Sequence, residues 1–219
     1  AKFPKLNNIR ILRNWADTSN TALEDSNSNF LNKHGLEDKV IFFYGGNIGH
    51  AQDMKNIMRL VKNMQNFEKA HFLIIGQGDE FKLIKKLKKD WELKNVTILP
   101  SVSQSEFKKI LALIDIGLFS LAYNHTAHNF PGKLLGYMVE SKPMLGSINP
   151  GNDLLELIVS SNAGFVYNNG EDQNLLNAAI SLLNQTQLRK RMGENSRNLL
   201  LREFSIESAV NNILTSVVK

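Results

Sequence analysis

Six short apolar runs, VIFFY, HFLII, VTIL, IDIGLF, PMLG and GFVY, recur along the chain, and most of them lack polar alternation. A strand with one wet face alternates apolar and polar residues, whereas a strand covered on both faces is apolar throughout. The expected strands are therefore Val40–Tyr44, His71–Ile75, Val96–Leu99, Ile114–Phe119, Pro143–Gly146 and Gly164–Tyr167. Helical periodicity fills the intervals, over Asp53–Asn66, Asp79–Trp91, Ser103–Leu113, Pro131–Glu140, Asn152–Ser160 and Glu171–Leu183. Such alternation implies right-handed crossovers and a parallel, doubly wound sheet. The fold class is thus α/β, a Rossmann-like sheet of about six strands. Ligands of such sheets sit at the C-terminal strand edges, near the point where strand order reverses.

Two regions lie outside the alternation. Residues 1–25 read as one short strand followed by a polar connection, and residues 26–219 as the domain itself. The domain closes with two helices broken near Phe204–Ser205, where Ser205 suits the N-cap and Glu207 the positive end of the dipole. With no cysteine, the chain can form neither a disulfide nor a thiolate metal site. No apolar run approaches the length of a membrane span, and AKFPKLNNIR lacks a signal peptide's apolar core. The net charge of +5 suits phosphorylated ligands or an anionic membrane surface but is too small to argue for nucleic acid. No phosphate loop of the Gly-x-x-x-x-Gly-Lys type, zinc spacing or RNA-stacking aromatic cluster is present.

Three loops carry the residues for chemistry. In YGGNIGHAQD, Gly45, Gly46 and Gly49 allow close backbone approach, and the helix after Asp53 would offer free N–H groups to a phosphate. The alternative is a tight turn whose glycines serve sterics alone. Gly76 and Gly78 of IIGQGDE form a weaker version of the same signal. In HTAHNFPGKLLGYM, Pro131 suits the first helical position, and Asn129, Phe130 and Gly132 surround a second helix end. Lys133 stands where the helix dipole prefers an anion, which makes sense if a bound anion compensates both; otherwise it points to solvent. His125 and His128 lack a third ligand nearby, so His128 reads as a hydrogen-bonding group rather than a metal ligand. The helix FKLIKKLKKDW sets Phe81, Ile84, Leu87 and Trp91 along one side and its lysines elsewhere, as a solvated face or a contact for anionic lipid headgroups.

Taken in order, NIRILRNWAD, FFYGGNIGHAQD, FLIIGQGDE, NVTILPSVSQSEFKKILALIDIGLFSL, FPGKLLGYMVESKPML and MGENSRNLLLREFSIESAV resemble the C-terminal half of GT-B glycosyltransferases of family 4 (glycosyl transferases group 1). The Asn-Ile-Gly-x-x-Gln and Pro-x-Lys-x-x-x-Tyr-Met elements resemble a subgroup acting in bacterial surface polysaccharide synthesis, such as lipopolysaccharide or capsule. The resemblance implies a nucleotide-diphosphate-sugar donor, UDP-linked for preference, and retaining transfer without a protein nucleophile, metal or cofactor. By position, Lys133 and Asn47 would be catalytic, Lys133 neutralising the departing diphosphate and Asn47 approaching it. Gly45, Gly46, Gly49, Gln52, Gly76, Gly78, Ser101, Val102, His128, Asn129, Pro131, Gly132, Tyr137 and Glu140 would bind the donor. The family's paired glutamates fall on His128 and Gly136, and glycine cannot hold the ribose; Glu140, one turn on, is the acidic candidate left.

The resemblance also implies an acceptor-binding N-terminal domain outside this chain, so that the fragment alone would not turn over. It implies a cytoplasmic protein, with peripheral contact at the inner membrane face suited by the basic surface, and a lipid-linked or polysaccharide acceptor. A degenerate, non-catalytic binding or scaffolding domain is the alternative that Gly136 raises. A dehydrogenase or epimerase is disfavoured, because the first strand lacks a Gly-x-Gly-x-x-Gly sequence and the second does not end on an acidic residue.

Overall fold

The computed structural model describes residues 12–19, 28–126 and 130–217. Its elements run α1 (Ser28–His34), β1 (Val40–Asn47), α2 (Met54–Asn63), β2 (Ala70–Gln77), α3 (Phe81–Asp90), β3 (Val96–Leu99), α4 (Gln104–Leu113) and β4 (Ile116–Ser120). There follow α5 (Lys133–Val139), β5 (Met144–Ile148), α6 (Leu154–Ser160), β6 (Gly164–Asn168), α7 (Asp172–Asn184), α8 (Thr186–Glu203) and α9 (Ile206–Val217). The strands form one parallel sheet in the order β3-β2-β1-β4-β5-β6. The chain thus forms the expected α/β, Rossmann-like sheet.

Both faces of the sheet are covered, which is why its strands are apolar throughout. Phe42, Tyr44, Phe72 and Ile74 face a core shared with α2, α3 and α7, while Ile41, Phe43, Leu73 and Ile75 face one shared with α4, α5, α6 and α8. On α3, Ile84 is buried and Phe81, Leu87 and Trp91 pack beside it, leaving the lysines outside. The Ser205 hydroxyl accepts from Ser208 N–H at 3.0 Å, as expected of the cap on α9. One helix, α1, falls outside the periodic pattern. Its stop signal is local: Gly35 takes φ +64°, and Leu36 N–H donates back to Leu31 at 2.9 Å.

Strand order reverses at β1, and there the pairing is unequal. With β2, β1 stays in register from Val40↔Ala70 to Asn47↔Gln77. With β4 it pairs only at Phe42↔Ile116 and Phe43↔Gly117. Beyond Phe43 the two halves of the sheet diverge, and a crevice opens at the C-terminal edge.

Candidate functional site

The crevice floor is the loop that follows β1. Gly46 sits at φ +111°, and Tyr44 Oη donates to Asn47 O at 2.7 Å, curling the loop back over its own strand. Two glycines expected to serve chemistry serve close packing. A Cβ on Gly76 would stand 1.9 Å from Gly46 O, and one on Gly78 would stand 2.3 Å from Ile48 O. The ends of β1 and β2 thus touch backbone to backbone. Side chains knit the rest: Asn47 Nδ2 donates to Gln52 Oε1 at 2.9 Å, and Ser101 Oγ to Gln77 Oε1 at 3.0 Å.

The free helix end expected after Asp53 is occupied. Met54 N–H donates to Glu80 Oε2 at 3.1 Å, so a carboxylate already sits at the positive end of α2. Glu80 Oε1 lies 3.1 Å from His50 Nδ1, and Asp79 Oδ2 lies 3.3 Å from His50 Nε2. His50 is therefore spent on these two carboxylates. A phosphate held here must come to the loop itself or to the far wall.

The far wall supplies a cation. Lys133 opens α5, and its Nζ lies 3.4 Å from the centroid of the Tyr44 ring, so it turns inward rather than to solvent. Among the described residues this Nζ is buried without a hydrogen-bond partner. Burial alone pulls the ammonium down to about 7 from its ordinary range. An anion entering the crevice would restore the full charge and receive charge-assisted hydrogen bonds. Pro131 is not the first helical residue: α5 begins two residues later behind Gly132, and Pro131 O accepts from Leu134 N–H at 3.0 Å.

Three hollows adjoin. One of about 290 Å³ lies between Gly45, Gly46, Asn47, Gln52, Gly132 and Lys133. A second, of about 300 Å³, shares Gly46 and Asn47 with it and runs past Gly76 and Gln77 to Ser101, Val102 and Phe107. The largest, of about 450 Å³, shares Val102 and Phe107 with the second and reaches Gly136, Glu140 and Asp17. Asn47, Gln52, Ser101, Val102 and Lys133 thus converge on one crevice, as their sequence context suggests.

Other expected site residues sit elsewhere. Tyr137 lines none of these hollows; its side chain is fully buried, its ring against Gly117, and its hydroxyl lies 3.0 Å from Leu118 O and 3.3 Å from Phe43 O. It reads as core because its register on α5 points it at the sheet. His128 and Asn129 lie outside the described residues. The His125 carbonyl accepts from Asn149 Nδ2 at 2.8 Å, and among the described residues no group of three or more His, Asp or Glu is placed to hold a metal. His71 donates to or accepts from Thr97 Oγ1 at 2.9 Å across the sheet, away from the crevice.

Known proteins share this fold. The model of the family described as glycosyl transferases group 1 matches residues 26–199. The chain belongs to that family. Among curated relatives, the probable glycosyltransferase WbjE of Pseudomonas aeruginosa is 26% identical over 165 residues, 74% of this chain and 41% of its own length. The N-acetyl-alpha-D-glucosaminyl L-malate synthase of Bacillus anthracis is 26% identical over 172 residues, 76% of this chain and 43% of its own. The chain therefore spans less than half the length of these relatives. Of solved structures, Anabaena Alr3699/HepE in complex with UDP and glucose superposes with a TM-score of 0.77 at 15% identity, over 96% of this chain and 56% of that one. The C-terminal domain of a group 1 family protein, LpcC of Francisella tularensis, gives 0.68 at 14% identity, over 87% of this chain and 99% of that one. The fold of this group 1 family member is thus that of a GT-B C-terminal domain.

Proposed function

We propose that the chain is the donor-binding half of a retaining glycosyltransferase that takes a UDP-sugar. The carrying observation is the buried Lys133 ammonium, without a hydrogen-bond partner among the described residues, facing the Gly46–Asn47 loop. The diphosphate lies in the hollow between Lys133 and that loop, and the base lies past Gly76 against Ser101, Val102 and Phe107. During transfer the bond from the anomeric carbon to the diphosphate oxygen breaks and a bond to the acceptor oxygen forms. The acceptor's proton passes to the leaving diphosphate. Lys133 neutralises the charge that builds there, and Asn47, held by Gln52, aims its amide at the same oxygens.

The transferred sugar goes to a lipid-linked or polysaccharide acceptor in bacterial cell-surface glycan synthesis, a reading supported by the likeness in fold to WaaG, a glycosyltransferase involved in lipopolysaccharide biosynthesis. That acceptor is held by a further N-terminal domain. An apolar stripe on α9, formed by Ile206, Val210, Ile213 and Leu214 and about half exposed, supports a packing partner of that kind. The exposed lysines of α3, Lys82, Lys85 and Lys89, support peripheral contact with an anionic membrane on the cytoplasmic side. No described helix is long and apolar enough to cross a membrane.

Calorimetric titration tests the reading, with UDP as ligand and GDP and ADP as controls. Saturable UDP binding that Lys133→Ala weakens at least about tenfold supports it. Absence of binding to any nucleotide returns the chain to a non-catalytic role.

A further inference from the structure

We propose that Tyr44 positions both groups that meet the donor's diphosphate: its hydroxyl sets the Asn47 backbone, and the face of its ring holds the Lys133 ammonium. The proposal rests on the donor reading. It adds a residue beneath the crevice, which lines none of the three hollows and would act only through its two neighbours.

The place of Tyr44 on β1 brings both contacts within reach. It stays paired with Ile74 of β2, so its backbone is fixed, yet it is the first β1 residue past the last pair with β4. There the sheet has begun to part, and a side chain from the far wall can come down onto a ring rooted in the closed one. Lys133 does so, with Nζ 3.4 Å from the ring centroid. Its stem passes beside the loop as well, since a Cβ on Gly46 would stand 3.8 Å from Lys133 Cε. From the same ring, Oη donates to Asn47 O at 2.7 Å. One fully buried side chain therefore joins the loop to the cation.

The ring suits an anion site. An ammonium held by a carboxylate would be neutralised, and that carboxylate would repel a diphosphate. An aromatic face attracts the cation through its quadrupole, without a counter-charge, so the whole charge stays available to phosphate oxygens. The contact also fixes a long side chain before the ligand arrives, which lowers the ordering cost of binding. Among the described residues no hydrogen bond competes for Nζ.

The hydroxyl has a separate task. A phenylalanine would fill the core as Phe42 and Phe72 do on this face of the sheet. It would leave Asn47 O without its donor, and the turn at Gly46, with φ +111°, without that tie. Burial, and after it Tyr137 and Glu80, hold the phenol's pKa well above its ordinary value, so it remains a donor at neutral pH. A core tyrosine that only needed a partner for its hydroxyl would account for the bond to Asn47, but not for the cation on its face.

Calorimetry on the 219-residue chain tests each contact, with UDP as ligand and uridine as its phosphate-free control. For the ring, Tyr44→Phe is compared with trifluorinated and pentafluorinated versions of the same substitution, which strip the quadrupole while nearly keeping the shape. UDP affinity is expected to fall along that series by on the order of tenfold. Uridine affinity and melting temperature are expected to stay level, and the fall to vanish beside Lys133→Ala. For the hydroxyl, Tyr44→Phe is expected to weaken UDP about threefold relative to wild type, and to do so in the Lys133→Ala background too. A flat series, a rise along it, an equal fall for uridine, or a fall that survives Lys133→Ala overturns the role of the ring. A Tyr44→Phe variant that binds UDP as wild type does overturns that of the hydroxyl. These results leave the donor reading intact, whereas a wild type that binds no UDP overturns that reading and the proposal together.

Discussion

The two walls of the crevice are built on opposite terms. The β1–β2 wall is closed: its backbones touch, its amides pair with each other, and the end of α2 is neutralised from within by Glu80. The α5 wall is left open by one charge, Lys133 over the Tyr44 ring. The first arrangement favours a fixed shape in the absence of ligand. The second costs stability until an anion arrives, because a buried cation without a partner is disfavoured. Rigidity and appetite for ligand thus reside on different elements.

The contrast is broken most severely on the closed wall. Gly76→Ala would drive a methyl into Gly46 O, and backbone cannot step aside cheaply. The expected loss is on the order of 3–5 kcal/mol, read from urea unfolding; a loss below 1 kcal/mol would show the wall to be compliant.

On the open wall the sign reverses. Lys133→Met keeps the length and removes the charge, so it should stabilise the ligand-free protein by about 1–3 kcal/mol at neutral pH while abolishing nucleotide binding. The folded protein holds this group near 7, against 10.5 in the unfolded chain. Between those values the unfolded state binds the extra proton, so wild-type stability climbs from pH 7 towards 10.5. Below about pH 7 the penalty is complete. The gap between wild type and Lys133→Met should accordingly close as pH rises, in chemical denaturation run across that window. A gap independent of pH would mean that the lysine is charged and satisfied.

The smallest effect sharpens the comparison. Asn47→Ala removes one exposed bond to Gln52 and should cost less than about 1 kcal/mol, while lowering UDP affinity more than stability. If stability falls further than affinity, Asn47 belongs to the closed wall alone.

Much of this was written in the local sequence. Runs such as VIFFY and HFLII need cover on both faces, and that requirement alone leads to the doubly wound sheet and so to the crevice. Lys133 was legible because a cation is misplaced in a first helical turn. What escaped depends on partners far along the chain. Glu80 reaches Met54 across 26 positions and removes a helix end that looked free. Gly76 and Gly78 carry the same local signal whether they cradle a ligand or a neighbouring strand, and only the fold distinguishes the two. Ala16 and Thr18 lie in a segment without periodicity, held by Phe204 and by Arg197 from the other end of the sequence.

Tyr137 has one more consequence. Its hydroxyl sits where β1 and β4 stop pairing, between Phe43 O on one strand and Leu118 O on the other, with Gly45 N–H also against it. A phenol rooted on α5 thus acts as a wedge driven into the sheet. The place where the sheet parts is thus marked by one aromatic side chain, which reaches both strands just where their pairing ends.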